Sequence, residues 1–184
     1  MLQSAPRSLT VRDFRQLPEG PPYYQLIEGD LYMAPSPDRL HQDILGNLHY
    51  ILRSHLEKCP LGSVHLAPSD VQLTDLNIYH PDLYYVSNPR RAILTHQGAR
   101  GAPDLIVEIL SPRTAKWDRG VKREIYARSG VEEMWIVDPA VKKILVYRFS
   151  TAVDVPVGTF GVRQKFESPL FPGLKIDPSR VFET

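Results

Sequence analysis

The sequence predicts an α/β protein, more specifically an α+β fold in which a mixed sheet carries two principal helices. Short β-prone runs and helical segments alternate in the order strands, helix, strands, helix, strands. Residues 36–56 carry apolar side chains at helical spacing, which is the clearest helical pattern in the chain. The stretch DLIVEIL, 104–110, is apolar on both faces apart from its carboxylates, as is typical of a central strand.

The N-terminal part is predicted to hold an arm followed by a β-hairpin. Residues 1–22 form the arm, in which Thr10–Leu17 is expected to be a short helix ahead of a cluster of prolines. Glu28-Gly29-Asp30 has the composition of a turn and lies between two β-prone runs. These runs are Tyr23–Ile27 and Leu31–Ala34.

Two helices are expected to dominate the helical content. Ser36-Pro37-Asp38 indicates the start of the first, with Ser36 as N-cap and Pro37 in the first turn. The second is predicted over Thr114–Ser129, with Gly130 as the residue that ends it. The remaining strands are predicted at Ser63–Ala67, Asp70–Leu73, Asp82–Ser87, Asp104–Leu110, Glu133–Val137, Ile144–Phe149, Val162–Phe166 and Leu174–Ile176.

Composition restricts the class of protein. The chain has 184 residues, of which 42% are hydrophobic, and this is enough for one domain spanning 1–184 with its own core. Its 22 basic and 21 acidic residues argue against a polyanion binder driven by overall charge. Cys59 is the only cysteine, which excludes an internal disulfide and fits a reducing compartment. Because the chain has no run of about 18 apolar residues, we expect a soluble cytoplasmic protein without a membrane partner.

Several strong motifs are missing from the sequence. The phosphate-binding G-x-x-x-x-G-K-[ST] loop, the dinucleotide-binding G-x-G-x-x-G turn, the G-x-S-x-G elbow and the zinc-binding H-E-x-x-H helix do not occur. The sequence therefore gives no support to a P-loop enzyme, a dehydrogenase, a serine hydrolase or a zincin.

Two carboxylates stand in unusual places. Glu108 is the fifth residue of the apolar run DLIVEIL, where its neighbours predict burial, and a buried carboxylate is costly unless it is paired or binds a metal. Asp82 follows Pro81 at the start of another strand. Two carboxylates on neighbouring strands suit a hard divalent cation such as Mg²⁺. The alternatives are an ion pair between Glu108 and a helical Lys or Arg, and an Asx turn at Asp82.

A lysine that could complete such a site lies in the following helix. Lys122 has Asp118 four residues before it and Tyr126 four residues after it, so helical spacing places all three on one face. The alternative for Lys122 is a solvated surface lysine paired with Asp118.

These residues carry a resemblance to a known family. Pro81-Asp82, followed 26 positions later by Glu108 in strand, strand, helix order, resembles the PD-(D/E)xK nuclease superfamily. Residues 101–139, GAPDLIVEILSPRTAKWDRGVKREIYARSGVEEMWIVDP, more closely resemble the Uma family of restriction-endonuclease-like proteins. Further similarity lies in YYQLIEGDLYM, in PDLYYVS and in the closing SPLFPGLKID, so it covers most of 23–178.

The resemblance implies a restriction-endonuclease-like core, with the N-terminal hairpin and the C-terminal strands as additions. It also implies a divalent-metal-dependent DNA endonuclease that hydrolyses phosphodiester bonds by metal-activated water, with Asp82 and Glu108 as ligands of Mg²⁺ or Mn²⁺. The sequence departs from the superfamily where Leu110 stands in place of the usual lysine. The Uma pattern keeps a lysine at Lys122, which we take as the catalytic lysine, with Lys116 as the second candidate.

Other candidates are accessory. His41 opens the first long helix and matches a histidine of the family, although an exposed histidine at a helix start is the simpler interpretation. Glu28 matches an acidic position of the family, although turn chemistry explains it as well. Ser111, directly after Leu110, is a further accessory candidate.

The segment 89–130 is locally basic. It holds nine basic and four acidic residues, an excess that predicts salt-dependent contact with DNA phosphates. The residues that we expect to contact nucleic acid are Arg113, Lys116, Arg119 and Arg123.

Two other hypotheses compete with a nuclease. Leu110 in the usual lysine position favours a catalytically silent nucleic-acid-binding or interaction module that retains the nuclease fold. A weaker hypothesis is a zinc site made of His49, His55, Cys59 and His65. For a nuclease we expect a homodimer, because cutting both strands of a duplex needs two active sites.

Overall fold

Thirteen short strands form three sheets in the part of the chain that the structure describes. The computed structural model describes residues 8–18, 20–33, 36–112, 115 and 118–183. The strands are β1 (Tyr24–Ile27), β2 (Asp30–Met33), β3 (Gly62–Leu66), β4 (Asp70–Thr74), β5 (Asn77–Tyr79), β6 (Leu83–Ser87), β7 (Gly98–Arg100), β8 (Leu105–Ile109), β9 (Glu133–Asp138), β10 (Lys143–Arg148), β11 (Gly158–Gly161), β12 (Phe166–Glu167) and β13 (Lys175–Ile176).

Both larger sheets are mixed. The six-stranded sheet has the order β11-β10-β9-β8-β6-β3, and the five-stranded sheet has the order β2-β1-β5-β4-β7. In the first, β8 runs parallel to β9 and antiparallel to β6. In the second, only β4 and β7 are parallel among the described pairs. β12 and β13 form a separate antiparallel pair. Every residue of β8 is buried, which agrees with its central position.

The helices are α1 (Val11–Phe14), α2 (Arg39–Lys58), α3 (Arg123–Arg128) and α4 (Pro178–Val181). A single π-helical turn, Asp118–Lys122, leads directly into α3, and a 3₁₀ turn, Asn88–Ile93, follows β6. Thr10 caps α1 through a capping box with Asp13. None of the helices in the described ranges is long and apolar enough to cross a membrane.

The six-stranded sheet buries its two faces in different cores because successive side chains of a strand point to opposite sides. Leu83 and Val107 point to the face that α2 covers with Leu48 and Leu52. The other face packs against α3 and against the five-stranded sheet; its members include Val71, Tyr84, Ile106, Leu110, Tyr126 and Met134. Glu108 alternates with Val107 and therefore points into this second core.

Some sequence-based predictions are wrong in detail. Asp38, not Ser36, is the N-cap of α2, and its carboxylate accepts a hydrogen bond from the His41 N–H at 2.8 Å. The strand predicted over Val162–Phe166 is instead β11, which ends at Gly161 and is followed by a turn closed by two hydrogen bonds between Gly161 and Gln164. The strands divide among three sheets, two of them mixed, rather than forming one mixed sheet. Thr114 and Ala34, the predicted ends of two elements, lie outside the described residues.

Candidate active site

The pairing of β6 with β8 brings Asp82 and Glu108 together. Leu83 lies opposite Val107 in this antiparallel pair, so the same register places Asp82, one residue before β6, across from Glu108. Asp82 Oδ2 accepts a hydrogen bond from the Ile109 N–H at 2.7 Å, which fixes the carboxylate against the end of β8. The contact is a tertiary one between strands and not an Asx turn.

Glu108 is a buried carboxylate with three close contacts. Its side chain is 4% exposed, and both of its oxygens lie 3.1 Å from Lys122 Nζ. The Tyr126 hydroxyl donates a hydrogen bond to Glu108 Oε1 at 2.6 Å. The structure therefore contains the ion pair with a helical lysine that was the alternative interpretation of Glu108.

The π-helical turn carries the lysine of this pair. Asp118 and Lys122 are the first and last residues of the turn, and Lys122 Nζ lies 2.8 Å from Asp118 Oδ1. Both side chains are buried, so Lys122 is not the solvated surface lysine that was the other interpretation of the sequence. Single π-helical turns occur often at functional sites, where they redirect side chains. Asp118, Lys122 and Tyr126 do share one face, as the helical spacing predicts.

The electrostatics of this group favour a bound cation. Burial raises the pKa of Glu108; Lys122 opposes the rise, whereas Asp118 and Asp82 add to it. Burial alone would lower the pKa of Lys122, but Glu108 and Asp118 hold it above its ordinary value. The ammonium consequently stays charged at neutral pH. The raised pKa favours the protonated form of Glu108, and a bound cation would reverse this by favouring the carboxylate.

His41 extends the group from the opposite side of the sheet. Its Nε2 lies 3.2 Å from Asp82 Oδ1, and its side chain is only 12% exposed. Burial alone would lower the pKa of His41, but the hydrogen bond and charge of Asp82, with the charges of Asp38 and Asp118, raise it. Its Nδ1 is buried and has no hydrogen-bond partner among the described residues. The interpretation of His41 as an exposed histidine is therefore wrong.

Leu110, two residues after Glu108, occupies the position where the superfamily has its lysine. Leu110 is buried in the same core as Tyr126, so this side chain fills apolar space on the face where the superfamily has its lysine. Lys122 reaches Glu108 from the helix instead. Ser111 follows the strand, and its carbonyl accepts a hydrogen bond from the Ala115 N–H at 3.0 Å. Lys116, the second candidate for the lysine, lies outside the described residues.

Two other acidic residues serve structural contacts. Asp104 accepts hydrogen bonds from the Ser87 N–H at 2.7 Å and from the Ser87 hydroxyl at 3.0 Å. Glu28 accepts a hydrogen bond from Asn77 Nδ2 at 2.9 Å and forms an ion pair with Arg128. Within the described ranges, no hydrogen bond or ion pair connects Glu28 to Asp82 or Glu108. Its accessory role is a prediction without a supporting contact.

The basic segment is largely neutralised inside the protein. Arg119 pairs with Asp138. Arg123 pairs with Asp154 at 2.9 Å, and its guanidinium lies over the Tyr147 ring with only 14% of the side chain exposed. Neither is a free cation, which weakens the expectation that they contact DNA. Arg113 lies outside the described residues, as Lys116 does. The other described ion pairs of the segment join Arg90 to Asp104 and Glu132, Lys122 to Glu108 and Asp118, and Arg128 to Glu28.

The donor atoms of the group suit a hard divalent cation with an incomplete protein shell. Carboxylate oxygens are the ligands that Mg²⁺ prefers, and both oxygens of Asp82 and Oε2 of Glu108 each have a lone pair beyond their present contact. Within the described ranges, no three His, Cys, Asp or Glu side chains form a cage that could hold a metal ion unaided. This also leaves the zinc hypothesis without support. The residues thus fit a cation that takes its other ligands from water and from a substrate phosphate.

The sequence places Asp118 and Tyr126 on the same face as Lys122, but it does not predict their burial or their contacts with Lys122 and Glu108. Their spacing of four residues on either side of Lys122 was the available signal. The five-stranded sheet covers these side chains and excludes water from them. Tyr79 of that sheet packs edge-on against Tyr126, with 5.1 Å between ring centroids.

The mixed sheets and few helices form a nuclease-like α+β fold, and comparison with known proteins defines the family. The chain matches the model of the Uma2 family, described as "Putative restriction endonuclease", over residues 11–179, and it belongs to that family. A solved structure described as a "putative nuclease belonging to DUF820 from Anabaena variabilis ATCC 29413" has the same fold, with a TM-score of 0.77. The two are 21% identical, and the alignment covers 95% of this chain and 97% of the other. The curated proteins contain no match to this chain.

Proposed function

We propose that this chain is a divalent-metal-dependent DNA endonuclease, and that Asp82, Glu108 and Lys122 are its catalytic residues. One observation carries the proposal: Lys122 Nζ lies 3.1 Å from both oxygens of Glu108 although it comes from the helix and not from the strand. The ammonium thus stands beside the carboxylate despite Leu110 in the usual lysine position. Family membership supports hydrolysis of nucleic acid as the reaction class.

The residues divide the work by their charge and position. Asp82 and Glu108 would hold Mg²⁺, or Mn²⁺ in its place. When bound, such a cation lowers the pKa of a water molecule and offsets charge on the phosphate. Lys122 keeps its proton at neutral pH and offsets negative charge that builds on the phosphoryl oxygens. Asp118 holds the lysine chain in place through its 2.8 Å contact.

His41 and Tyr126 are positioning residues in this proposal. The His41 ring contacts Asp82 Oδ1, and the Tyr126 hydroxyl donates a hydrogen bond to Glu108 Oε1. Each holds one oxygen of a carboxylate. The other oxygen contacts the Ile109 N–H in Asp82 and Lys122 Nζ in Glu108. The two carboxylates therefore keep their mutual orientation without a bound cation.

The proposal includes the biological setting. We expect duplex DNA as substrate and a homodimer as the active form, since two sites are needed to cut both strands. We further expect residues 1–184 to act as a single domain in the cytoplasm, where the lone Cys59 would stay reduced.

Cleavage of supercoiled plasmid with Mg²⁺ or Mn²⁺ tests the proposal. Asp82→Ala, Glu108→Ala and Lys122→Ala should each lower the rate at least about 100-fold, as expected for loss of a group that stabilises charge in the transition state. Asp104→Asn is the matched control, because Asp104 is a buried carboxylate of the same chain segment that binds Ser87 instead. It should cut at nearly the wild-type rate.

Three outcomes would change the assignment. Wild-type activity in Glu108→Ala would mean that the cleavage does not come from this site. Full activity in Lys122→Ala alone would move the lysine role to Lys116 or to another residue. A wild-type protein that binds DNA but cuts no plasmid, single strand or branched DNA would favour the catalytically silent module.

A further inference from the structure

A second basic site lies along the C-terminal half of α2. A pocket of about 300 Å³ opens there between the helix and the C-terminal segment of the chain. Its charged and aromatic lining is contributed by Tyr50, His55, Lys58, Lys175, Asp177 and Arg180. None of these residues belongs to the Asp82–Glu108 group.

The pocket has an excess of positive charge. Three cationic side chains line it against one carboxylate, Asp177, whose charge is already used. The Ser179 hydroxyl and N–H donate to Asp177 Oδ1, and Lys165 Nζ lies 3.0 Å from Oδ2. Within the described part of the chain, Lys58 and Arg180 form no ion pair, and Lys175 has only a contact of 4.0 Å with Glu167. The cations are therefore available to a ligand.

His55 provides an independent sign of a missing partner. Its Nε2 is buried and has no hydrogen-bond partner among the described residues, while its ring packs edge-on against Phe171. Buried polar atoms without a partner are rare because they forfeit their hydrogen bonds to water. Tyr50 also lines the pocket and leaves 64% of its surface exposed, so its ring is open to a ligand. Cations, an imidazole and an open aromatic ring together suit a phosphate that is attached to a sugar or base.

Helix electrostatics do not explain the whole arrangement. Cations near a helix C-terminus are stabilised by the helix dipole, which applies to Lys58 on α2 and to Arg180 on the four-residue α4 but not to Lys175. Lys175 and Arg180 come from β13 and α4, so the tertiary fold assembles the pocket.

We propose that this pocket binds a backbone phosphate of nucleic acid and forms a second DNA contact outside the active site. The identity of the ligand rests on the proposed function. His41 and His55 lie on one helix, separated by about 21 Å at about 1.5 Å per residue. This distance corresponds to about six base pairs at about 3.4 Å each, so one duplex could contact both ends of α2. The pocket would supply the phosphate contact that the neutralised segment around Arg119 and Arg123 does not.

Fluorescence anisotropy with a labelled duplex of about 20 base pairs, in buffer with EDTA, tests the proposal. The double variant Lys58→Glu/Arg180→Glu should weaken binding at least tenfold. The control Arg53→Glu/Lys143→Glu changes the charge equally at exposed residues outside the pocket and should weaken binding less than threefold. The slope of log K against log salt should also fall by about 0.9 for each phosphate contact that is lost. Equal binding by the two double variants would overturn the proposal.

A second measurement separates the possible sources of the phosphate. The proton NMR signal of the His55 ring can be assigned because it is missing in His55→Gln. This signal should shift when the duplex is added to the wild-type protein. If inorganic phosphate moves this signal while the two double variants bind DNA equally, the pocket serves a free phosphate and the assignment to nucleic acid is wrong. If neither ligand moves it, the pocket assignment fails. A protein that cuts no DNA but loses affinity in Lys58→Glu/Arg180→Glu would disprove the proposed catalysis and leave this second contact standing.

Discussion

Replacing Lys122 by Met tests whether its ammonium compensates the buried carboxylates. The Lys122 side chain is 6% exposed, and its Nζ lies 2.8 Å from Asp118 and 3.1 Å from Glu108. Met keeps the apolar stem but removes the charge, so two buried carboxylates lose their counter-charge. Removing one partner from a buried pair costs about 3–5 kcal/mol, a large part of the roughly 5–15 kcal/mol that stabilises a typical domain. Guanidinium unfolding followed by tryptophan fluorescence measures the loss.

A triple variant separates lost charge from lost packing. Lys122→Met/Glu108→Gln/Asp118→Asn keeps the shapes and removes all three charges, and neutral replacement of a whole buried network is often tolerated. It should recover more than half of the free energy of unfolding that Lys122→Met loses. A loss below about 1 kcal/mol in Lys122→Met, or no recovery in the triple variant, would refute the reasoning. In that case the ammonium would not be what keeps the buried carboxylates stable.

Three further changes probe the surroundings of the site. Leu52→Ala removes a fully buried side chain of α2 and should lower the free energy of unfolding by about 2–5 kcal/mol in urea denaturation; a change under 1 kcal/mol would mean that α2 packs loosely. Burial lowers the pKa of His65 below 6.5, so the unfolded chain takes up this proton first as the pH falls. The contribution of His65 to stability should therefore decrease between pH 7 and pH 5, so that His65→Phe gains stability relative to the wild type over this range in the same urea assay; an unchanged difference between the two proteins would speak against it. Asp104→Asn should lower the free energy of unfolding by about 1–3 kcal/mol through its bonds to Ser87, without affecting cleavage; a matching loss of cleavage would implicate Asp104 in the site.

Local patterns in the sequence predict most of the secondary structure. The apolar spacing of α2 and the double-sided burial of β8 are both confirmed, because each is dictated by periodicity along a single segment. Gly130 has φ = +91°, as expected for the residue that ends a helix. β5 and β7 were not predicted. Each has three residues and is a strand only through its tertiary pairing, β5 with β1 and β4 and β7 with β4.

Local patterns predict the burial of Glu108 and the helical spacing around Lys122, but not the contacts of the candidate site. The burial of Glu108 follows from its apolar neighbours, and the spacing of Lys122 follows from the helix. The contact of His41 with Asp82 depends on how α2 meets the end of β6, which no local pattern determines. The basic segment shows the same limit. Its count of positive charges is correct, but Asp138 and Asp154, which neutralise Arg119 and Arg123, come from later in the chain.

Calorimetric titration of Mg²⁺ and of Mn²⁺ into the wild-type protein and into Glu108→Ala tests the central claim most directly. The account predicts saturable binding by the wild type that Glu108→Ala loses, because Glu108 supplies one of only two proposed carboxylate ligands. Circular dichroism of the same samples would establish that the variant is folded. Equal binding by both proteins, or no binding by the wild type, would contradict the assignment of Asp82 and Glu108 as a metal site.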